Sequence, residues 1–277
     1  MILAITGPTS GIGAVTFRKL TPHFEKVLLL ARNPDKAKEM ISGLPMEQQA
    51  KAEYVHVDLA SMDSIIQSIK TIQSKVSHID VLINNAGGIF HEKSVTEDGF
   101  ELTLSANHLG HFLLTNKLMP WLLKSPNPKV INVSSEAHKA AKVNFDDLSY
   151  HKSKYSAFTA YANVKLFNIL FSKSLAEKYE AQGLQAFSLH PGVVKTNFAS
   201  EAGGIFKLLW IFAKPFMITA EQGAQTSIFL GKNEISAAQN GSYFKNSKPA
   251  KTSSSANSKS MREKLWYNSE RLLEKWL

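Results

Sequence analysis

The sequence predicts a doubly wound α/β protein, in which one parallel β-sheet carries helices on both faces and forms the middle of three layers. Short apolar runs alternate with helical stretches along most of the 277 residues. The runs are apolar at nearly every position, which is typical of strands buried on both faces of a parallel sheet. No internal repeat or linker interrupts this order before about residue 240, so we expect a single domain over residues 1–277.

Each strand and helix is predicted from its own segment. The predicted strands span residues 2–6, 27–31, 54–58, 81–83, 129–133 and 185–189. The predicted helices span residues 12–20, 35–42, 61–76, 99–123, 157–179 and 261–276. Because crossovers between parallel strands are right-handed, a chain that winds towards both edges of its sheet covers both faces. Within the C-terminal region 240–277, the Lys- and Ser-rich stretch 245–260 is expected to form a loop before the last helix.

The composition narrows the classes of function. With 44% hydrophobic and 20% charged residues, the chain has the composition of an ordinary globular protein. It contains no cysteine, which excludes disulfides and thiolate metal sites. The net charge of +9 comes from lysines scattered along the chain, without a basic recognition helix or an aromatic RNA-binding motif. We therefore expect a small-molecule ligand and no nucleic-acid partner.

Membrane and export segments are not predicted. No apolar run reaches the roughly 18 residues that span a bilayer, and no basic n-region precedes the apolar residues that follow Met1. We therefore expect a cytoplasmic protein without a transmembrane segment. The basic surface and the apolar run 205–217 leave peripheral contact with a membrane surface open.

A glycine-rich turn follows the first predicted strand. Its three glycines have the spacing G-x3-G-x-G and lead directly into a predicted helix. Glycines let the backbone approach a pyrophosphate, which the positive end of the helix attracts. A tight structural turn is the alternative, but the position directly after the first strand favours a dinucleotide site. The residues expected to bind the cofactor here are Gly7, Thr9, Ser10, Gly11, Ile12 and Gly13.

Arg32 and Asn33 follow the second predicted strand, where a dinucleotide-binding protein contacts the adenosine ribose. An acidic side chain at this position accepts a hydrogen bond from the ribose 2′-hydroxyl, whereas a guanidinium suits a 2′-phosphate. Arg32 therefore favours NADP(H). NAD(H) stays open, because an arginine in an exposed turn needs no ligand.

Tyr161 and Lys165 are four residues apart on a predicted helix, so the ammonium lies beside the phenol. A unit charge at about 5 Å, with an effective dielectric constant near 20, contributes roughly 3 kcal/mol, or about two pKa units. Desolvation of the phenolate opposes this effect, so two units is the upper limit from the lysine alone. We expect a Tyr161 pKa below its ordinary value and a phenol that acts as a general acid or base.

These two residues belong to a larger set of motifs. In chain order the set comprises TGPTSGIG at 6–13, Asp58, NNAG at 84–87, Asn107, Ser135, YANVK at 161–165 and PGVVKT at 191–196. It resembles the short-chain dehydrogenase/reductase (SDR) family, which implies a Rossmann-type sheet and an NAD(P)-dependent oxidoreductase. The segments NHLGHFLLTNKL, INVSSEAH, AEQGAQTSIFL and LWYNSERLL are similar to the retinol dehydrogenase-related branch.

The resemblance implies a role for each motif residue. Tyr161 would exchange a proton with the substrate oxygen, and Ser135 would hold the same oxygen. Lys165 would lower the pKa of Tyr161 and bind the nicotinamide ribose. Asn107 would hold a water that relays protons towards Lys165. The further residues that the resemblance places at the cofactor are Asp58, Leu59, Asn85, Ala86, Gly87, Pro191, Gly192, Val194 and Thr196.

The predicted activity is hydride transfer between NADP(H) and an aldehyde or ketone, or the matching alcohol. The apolar run 205–217 lies in the segment 197–220, which the family uses as a substrate lid, so we expect a lipophilic substrate. A catalytically silent NADP(H)-sensing regulator is the alternative, and the presence of both tyrosine and lysine favours the enzyme. Direction, substrate and the choice between monomer and homo-oligomer stay open. His108 and His111 have no evident third ligand, so no metal site is predicted.

Overall fold

In a computed structural model, which describes residues 1–193 and 218–277, the centre of the protein is a β-sheet. Its strands are β1 (Ile2–Thr6), β2 (Lys26–Ala31), β3 (Ala52–His56), β4 (Val81–Asn84), β5 (Lys129–Val133), β6 (Gln185–His190), β7 (Tyr243–Lys245) and β8 (Lys248–Pro249). The eight strands lie in the order β3-β2-β1-β4-β5-β6-β7-β8. Strands β1 to β7 run parallel and β8 runs antiparallel to β7, which confirms the predicted parallel sheet.

Helices connect the strands. The described α-helices are α1 (Gly11–Leu20), α2 (Pro34–Ser42), α3 (Met46–Gln49), α4 (Met62–Lys75), α5 (Leu102–Leu104), α6 (Gly110–Leu122), α7 (Ala157–Tyr179), α8 (Ala220–Lys232), α9 (Ser254–Asn257) and α10 (Lys259–Leu273). A π-helical turn, Ser105–Leu109, joins α5 to α6. The helix predicted over 99–123 is therefore shorter and interrupted.

The sheet separates two apolar cores. All five residues of β1 are buried, because Ile2 and Ala4 pack into one core whereas Leu3 and Ile5 pack into the other. Apolar side chains of α4, α6, α7 and α10 fill the first core, and those of α1 and α8 fill the second. This arrangement confirms the predicted three layers and explains why the strands are apolar at successive positions.

The prediction of a loop over residues 245–260 is wrong in two places. Strand β7 reaches Lys245 and turns into β8, and α9 lies before the last helix. The turn between the two strands uses Asn246 and Ser247 at φ of 52° and 59°. Edge strands are often short and rich in lysine, so a segment of this composition does not show the apolar pattern of a buried strand.

Helix α10 packs on α6 and α7 and completes the first core. The Trp266 ring lies 4.9 Å from the Phe112 ring and 6.0 Å from the Phe171 ring, between centroids. Ser269 Oγ is hydrogen-bonded to His108 Nε2 at 2.9 Å in the same buried contact. The C-terminal helix is therefore an integral part of the packing around α7.

We expect Phe171→Ala to lower the free energy of unfolding by about 3–5 kcal/mol, because it leaves a cavity between α7 and α10. Phe171 is 1% exposed. Tyr267→Ala is the matched control, since this aromatic residue of α10 is 65% exposed and its loss should change the free energy by less than about 0.5 kcal/mol. Denaturant unfolding followed by circular dichroism measures both, and equal losses would contradict the packing of α10.

Candidate active site

The sheet changes its winding direction between β1 and β4. From β1 the chain continues to β2 and β3, and from β4 it continues through β5 and β6 to β7, so β1 and β4 are neighbours. The carboxyl ends of the strands at such a switch point border the crevice in which α/β proteins bind ligands. Here the crevice is a cleft of about 860 Å³, lined by residues that follow β1 to β6. This volume lies within the range of about 300–1,000 Å³ that is typical of ligand sites.

The turn after β1 brings backbone groups close together at the cleft. Gly7 has a φ of 63°, and a Cβ on Gly13 would lie 2.1 Å from the Gly7 carbonyl oxygen. Asn85 Nδ2 holds the turn by donating to the carbonyl oxygens of Thr6 and Gly7 at 2.9 and 3.1 Å. The Ser10 side chain caps no N–H group of α1. The first N–H groups of this helix and the close turn therefore fit a pyrophosphate.

Two cations line the cleft after β2. Arg32 directly follows this strand, and Asn33 caps α2 by accepting a hydrogen bond from the Lys36 N–H at 2.9 Å. The capped first turn brings Lys36 to the cleft wall beside Arg32. The sequence analysis missed Lys36, although Asn33-Pro34 is typical of a helix start and places the next cation one turn further on.

Three predicted catalytic side chains line the other end of the cleft. The side chains of Tyr161 and Ser135 are hydrogen-bonded. Lys165 Nζ lies 5.4 Å from the centroid of the Tyr161 ring and donates to the Val133 carbonyl oxygen at 3.0 Å. The Ser134 hydroxyl donates to the Lys165 carbonyl oxygen at 2.6 Å. Ser134 thus holds α7, and Ser135, the next residue, contacts the phenol of Tyr161.

The strand order separates these two ends. Strands β2 and β5 are three strand spacings apart, so Arg32 and Ser135 lie roughly 14 Å apart across the sheet. The cleft therefore accommodates an extended molecule whose anionic end lies beside Arg32 and Lys36 and whose other end lies beside Tyr161.

The protein surroundings govern the ionisation of Tyr161 and Lys165. Burial raises the pKa of Tyr161 to about 12, and its hydrogen bond with Ser135 lowers this pKa only in part. Burial also lowers the pKa of Lys165 to about 8. The expectation of a Tyr161 pKa below its ordinary value is therefore not met in the protein alone. Loss of water around the phenolate outweighs the lowering effect of the hydrogen bond with Ser135.

Asn107 lies behind the cleft wall, in the π-helical turn, and is 0% exposed. Its Oδ1 accepts a hydrogen bond from the Gly88 N–H at 2.8 Å, and its Nδ2 donates to the Thr103 carbonyl oxygen at 3.0 Å. A Cβ on Gly87 would lie 2.4 Å from Asn107 Oδ1 and 3.4 Å from Lys165 Nζ. The Asn107 side chain thus holds the turn that packs against Lys165.

Most of the predicted cofactor residues line the cleft. Gly13 is the exception within the described chain, since it lies beneath the turn. The residues on the wall are Gly7, Thr9, Ser10, Gly11, Ile12, Arg32, Asn33, Asp58, Leu59, Asn85, Ala86, Gly87, Lys165, Pro191 and Gly192. Val194, Thr196 and residues 197–217 of the predicted lid lie outside the described residues. The residues flanking this segment are adjacent, because the Ile218 N–H donates to the Val193 carbonyl oxygen at 2.8 Å.

A group of mostly apolar residues on the cleft wall was not predicted from the sequence. Phe158 is 38% exposed and precedes Tyr161 by three residues on α7, so both side chains share one helix face. The Tyr155 hydroxyl donates to the Phe90 carbonyl oxygen at 2.9 Å and holds the loop after β4. The group comprises Ile89, Phe90, His91, Leu102, Ala106, Ala137, Phe158 and Val193.

His108 and His111 make buried contacts within the protein. His108 Nε2 bonds to Ser269 Oγ at 2.9 Å and His111 Nε2 bonds to Thr6 Oγ1 at 3.0 Å. Burial lowers the pKa of both histidines to about 3. Within residues 1–193 and 218–277, no group of three or more side chains could hold a metal ion. No helix in the same ranges is long and apolar enough to cross a membrane.

Comparison with known proteins identifies the family. The family model of the short chain dehydrogenases matches residues 1–203. Human retinol dehydrogenase 12 is 36% identical over 273 residues, which cover 98% of this chain and 86% of the relative. The crystal structure of an uncharacterized protein from Mycobacterium paratuberculosis matches with a TM-score of 0.79 and 30% identity, over 99% of this chain and 93% of the other.

A further solved structure supports the fold alone. NADPH-bound carbonyl reductase from chicken fatty liver matches with a TM-score of 0.66 and 21% identity, over 88% of this chain and 96% of the other. The matched family model, the level of identity over almost the whole chain and the shared sheet agree with one another. The chain is therefore an oxidoreductase of the short chain dehydrogenase family and belongs to its retinol dehydrogenase-related branch.

Proposed function

We propose that this protein transfers hydride between NADP(H) and the carbonyl carbon of a lipophilic aldehyde or ketone, or the matching alcohol. The observation that carries the proposal is the hydrogen-bonded pair of Ser135 and Tyr161 beside Lys165. This group lies at one end of a cleft whose other end bears Arg32 and Lys36.

Tyr161 is the proposed proton donor in carbonyl reduction. With a pKa of about 12, the phenol stays protonated at neutral pH, and this form can protonate an alkoxide that develops on the substrate. Ser135, which shares a hydrogen bond with Tyr161, would hold the same oxygen and stabilise its charge. In oxidation the substrate hydroxyl passes its proton to Tyr161, and the positive charge of Lys165 favours the phenolate.

The cleft residues fit a nicotinamide dinucleotide, which supplies or accepts the hydride when bound. The turn at Gly7 and the first N–H groups of α1 would hold the pyrophosphate. Arg32 and Lys36 would bind a 2′-phosphate, and Lys165 would donate to the nicotinamide ribose. The two cations after β2 are the reason for proposing NADP(H) rather than NAD(H).

The proposed substrate is lipophilic because the cleft wall next to Tyr161 is largely apolar. Phe158 and Phe90 lie on this wall together with aliphatic side chains. An apolar pocket with a few polar groups at one point binds an apolar molecule and orients its single polar group. Here the polar point is the pair of Ser135 and Tyr161.

We expect Arg32→Ala and Lys36→Ala each to lower kcat/KM for NADPH by roughly tenfold or more, because each removes a charge-assisted hydrogen bond to the 2′-phosphate. Neither change should alter kcat/KM for NADH. Lys38→Ala is the matched control, since Lys38 is exposed on α2 and is not part of the cleft wall. Equal efficiency of the unaltered protein with NADH and NADPH would refute the cofactor assignment.

Tyr161→Phe should lower kcat by roughly 10²- to 10⁴-fold, the usual contribution of a general acid or base, and should leave NADPH binding unchanged. Purified protein is assayed with both cofactors against aldehydes, ketones, retinoids and alcohols, and NADPH binding is measured by fluorescence. Tyr267→Phe, at an exposed tyrosine, is the control. NADPH binding without turnover of any compound would favour a silent cofactor sensor.

Long-chain and aromatic aldehydes should have a higher kcat/KM than small hydrophilic ones. Phe158→Ser should lower the value for the apolar aldehydes by roughly tenfold, because burial of an aromatic side chain contributes about 1.5–3 kcal/mol. Phe158→Leu keeps an apolar side chain at this position and should lose less. If small hydrophilic aldehydes are turned over equally well, the substrate class proposed here is wrong.

A further inference from the structure

The peptide unit between Ser135 and Glu136 is held on both sides by histidine rings. The Ser135 carbonyl oxygen is bonded to His138 Nδ1 at 2.7 Å and also accepts from the His138 N–H at 3.1 Å. On the other side, the Glu136 N–H donates to His190 Nδ1 at 3.3 Å. Because this peptide unit is bonded directly to the Ser135 Cα, holding it restricts rotation about the Ser135 Cα–C bond and thereby the direction of the Cα–Cβ bond.

The His138 ring also contacts the C-terminal part of the chain. The backbone N–H of Ser253 donates to His138 Nε2 at 3.2 Å. An N–H can only donate and a carbonyl can only accept, so Nε2 is the acceptor and Nδ1 carries the proton. The two backbone partners thus fix a single neutral tautomer of His138. A chain of hydrogen bonds runs from Ser253 through the ring to the catalytic serine.

The surroundings of His138 keep this link rigid. The residue is 1% exposed, and the Tyr243 ring packs edge-on against it at 5.2 Å between centroids. The Tyr243 hydroxyl donates to Glu136 Oε1 at 2.9 Å, and the Glu136 carboxylate also bonds to Lys139 at 2.7 Å. Burial lowers the pKa of His138, which favours the neutral ring that can accept from Ser253.

We propose that His138 is a positioning residue, through which the C-terminal segment beginning at Ser253 fixes the orientation of the Ser135 hydroxyl towards Tyr161. The inference rests on the proposed function, in which Ser135 holds the substrate oxygen. It adds a role for a residue outside the cleft wall, and it makes the segment after β8 part of the catalytic arrangement although no residue of it lines the cleft.

Two substitutions at Ser253 separate its backbone N–H from its side chain. Ser253 has a φ of −66°, which proline also adopts, so Ser253→Pro removes the N–H donor without changing this angle. Ser253→Ala keeps the N–H and removes the hydroxyl that caps α9. Loss of one buried hydrogen bond should lower kcat roughly fivefold in Ser253→Pro, with unchanged NADPH affinity, whereas Ser253→Ala should retain the original kcat.

Substitutions at His138 test the same link from the other side. His138→Asn keeps a donor near the Nδ1 position, but its side chain is too short to place an acceptor at the Nε2 position for the Ser253 N–H, so its kcat should fall about as far as that of Ser253→Pro. The double variant should be no slower than either single variant, because both remove one interaction. His138→Gln, which lacks the Nδ1 donor, should also be slow. The inference would be overturned if the kcat losses of the two single variants multiplied in the double variant, or if Ser253→Pro and Ser253→Ala had equal kcat.

Two further measurements separate this inference from the proposed function. Ser135→Ala is assayed in parallel: if it keeps full kcat, the proposed role of Ser135 is wrong. If it is inactive while Ser253→Pro matches Ser253→Ala, only the positioning role fails. Independently of activity, ¹⁵N NMR of the histidine rings in the unaltered protein at neutral pH should show His138 protonated at Nδ1 alone, and this measurement does not require any variant to fold. Protonation at Nε2 would exclude the link.

Discussion

The position of α7 against the end of β5 is the constraint on which the rest of this site depends. Lys165 is 3% exposed, and its ammonium is held by the Val133 carbonyl oxygen at the end of that strand. The Ser134 hydroxyl binds the Lys165 backbone from the same side. Tyr161, one helical turn earlier, therefore meets Ser135 at a fixed place. Helix α10 covers the other side of α7 and completes its burial.

The two halves of the sheet contribute different parts of the site. The half from β1 to β3 supplies the close turn at Gly7, the first N–H groups of α1 and the cations Arg32 and Lys36, all of which suit phosphate groups. The half from β4 onwards supplies the proton-transfer group and the apolar wall. Asn85 joins the halves, because it follows β4 and donates to the turn after β1. Charge recognition and chemistry are thus separated along one cleft.

The sequence was sufficient to predict the parallel sheet, the three layers and the polar part of the site. Strands such as β1 are apolar throughout because each face of the sheet has its own core, and residues such as Tyr161 follow a spacing that a helix imposes. The sequence was not sufficient to predict the apolar wall, because Phe90 comes from the loop after β4 and Phe158 from the first turn of α7, and only the fold brings the two to one cleft. It also missed the short strand β7. In the protein alone, burial raises the Tyr161 pKa instead of lowering it as predicted, because desolvation depends on packing.

The most direct measurement is a crystal structure of the protein with NADP⁺ and an alcohol or an unreactive carbonyl compound. The account predicts that Tyr161 Oη and Ser135 Oγ both lie within about 3 Å of the oxygen of the bound compound, with its carbon facing the nicotinamide ring. A Tyr161 hydroxyl that points away from the ring, with no space for a carbonyl group between them, would contradict it.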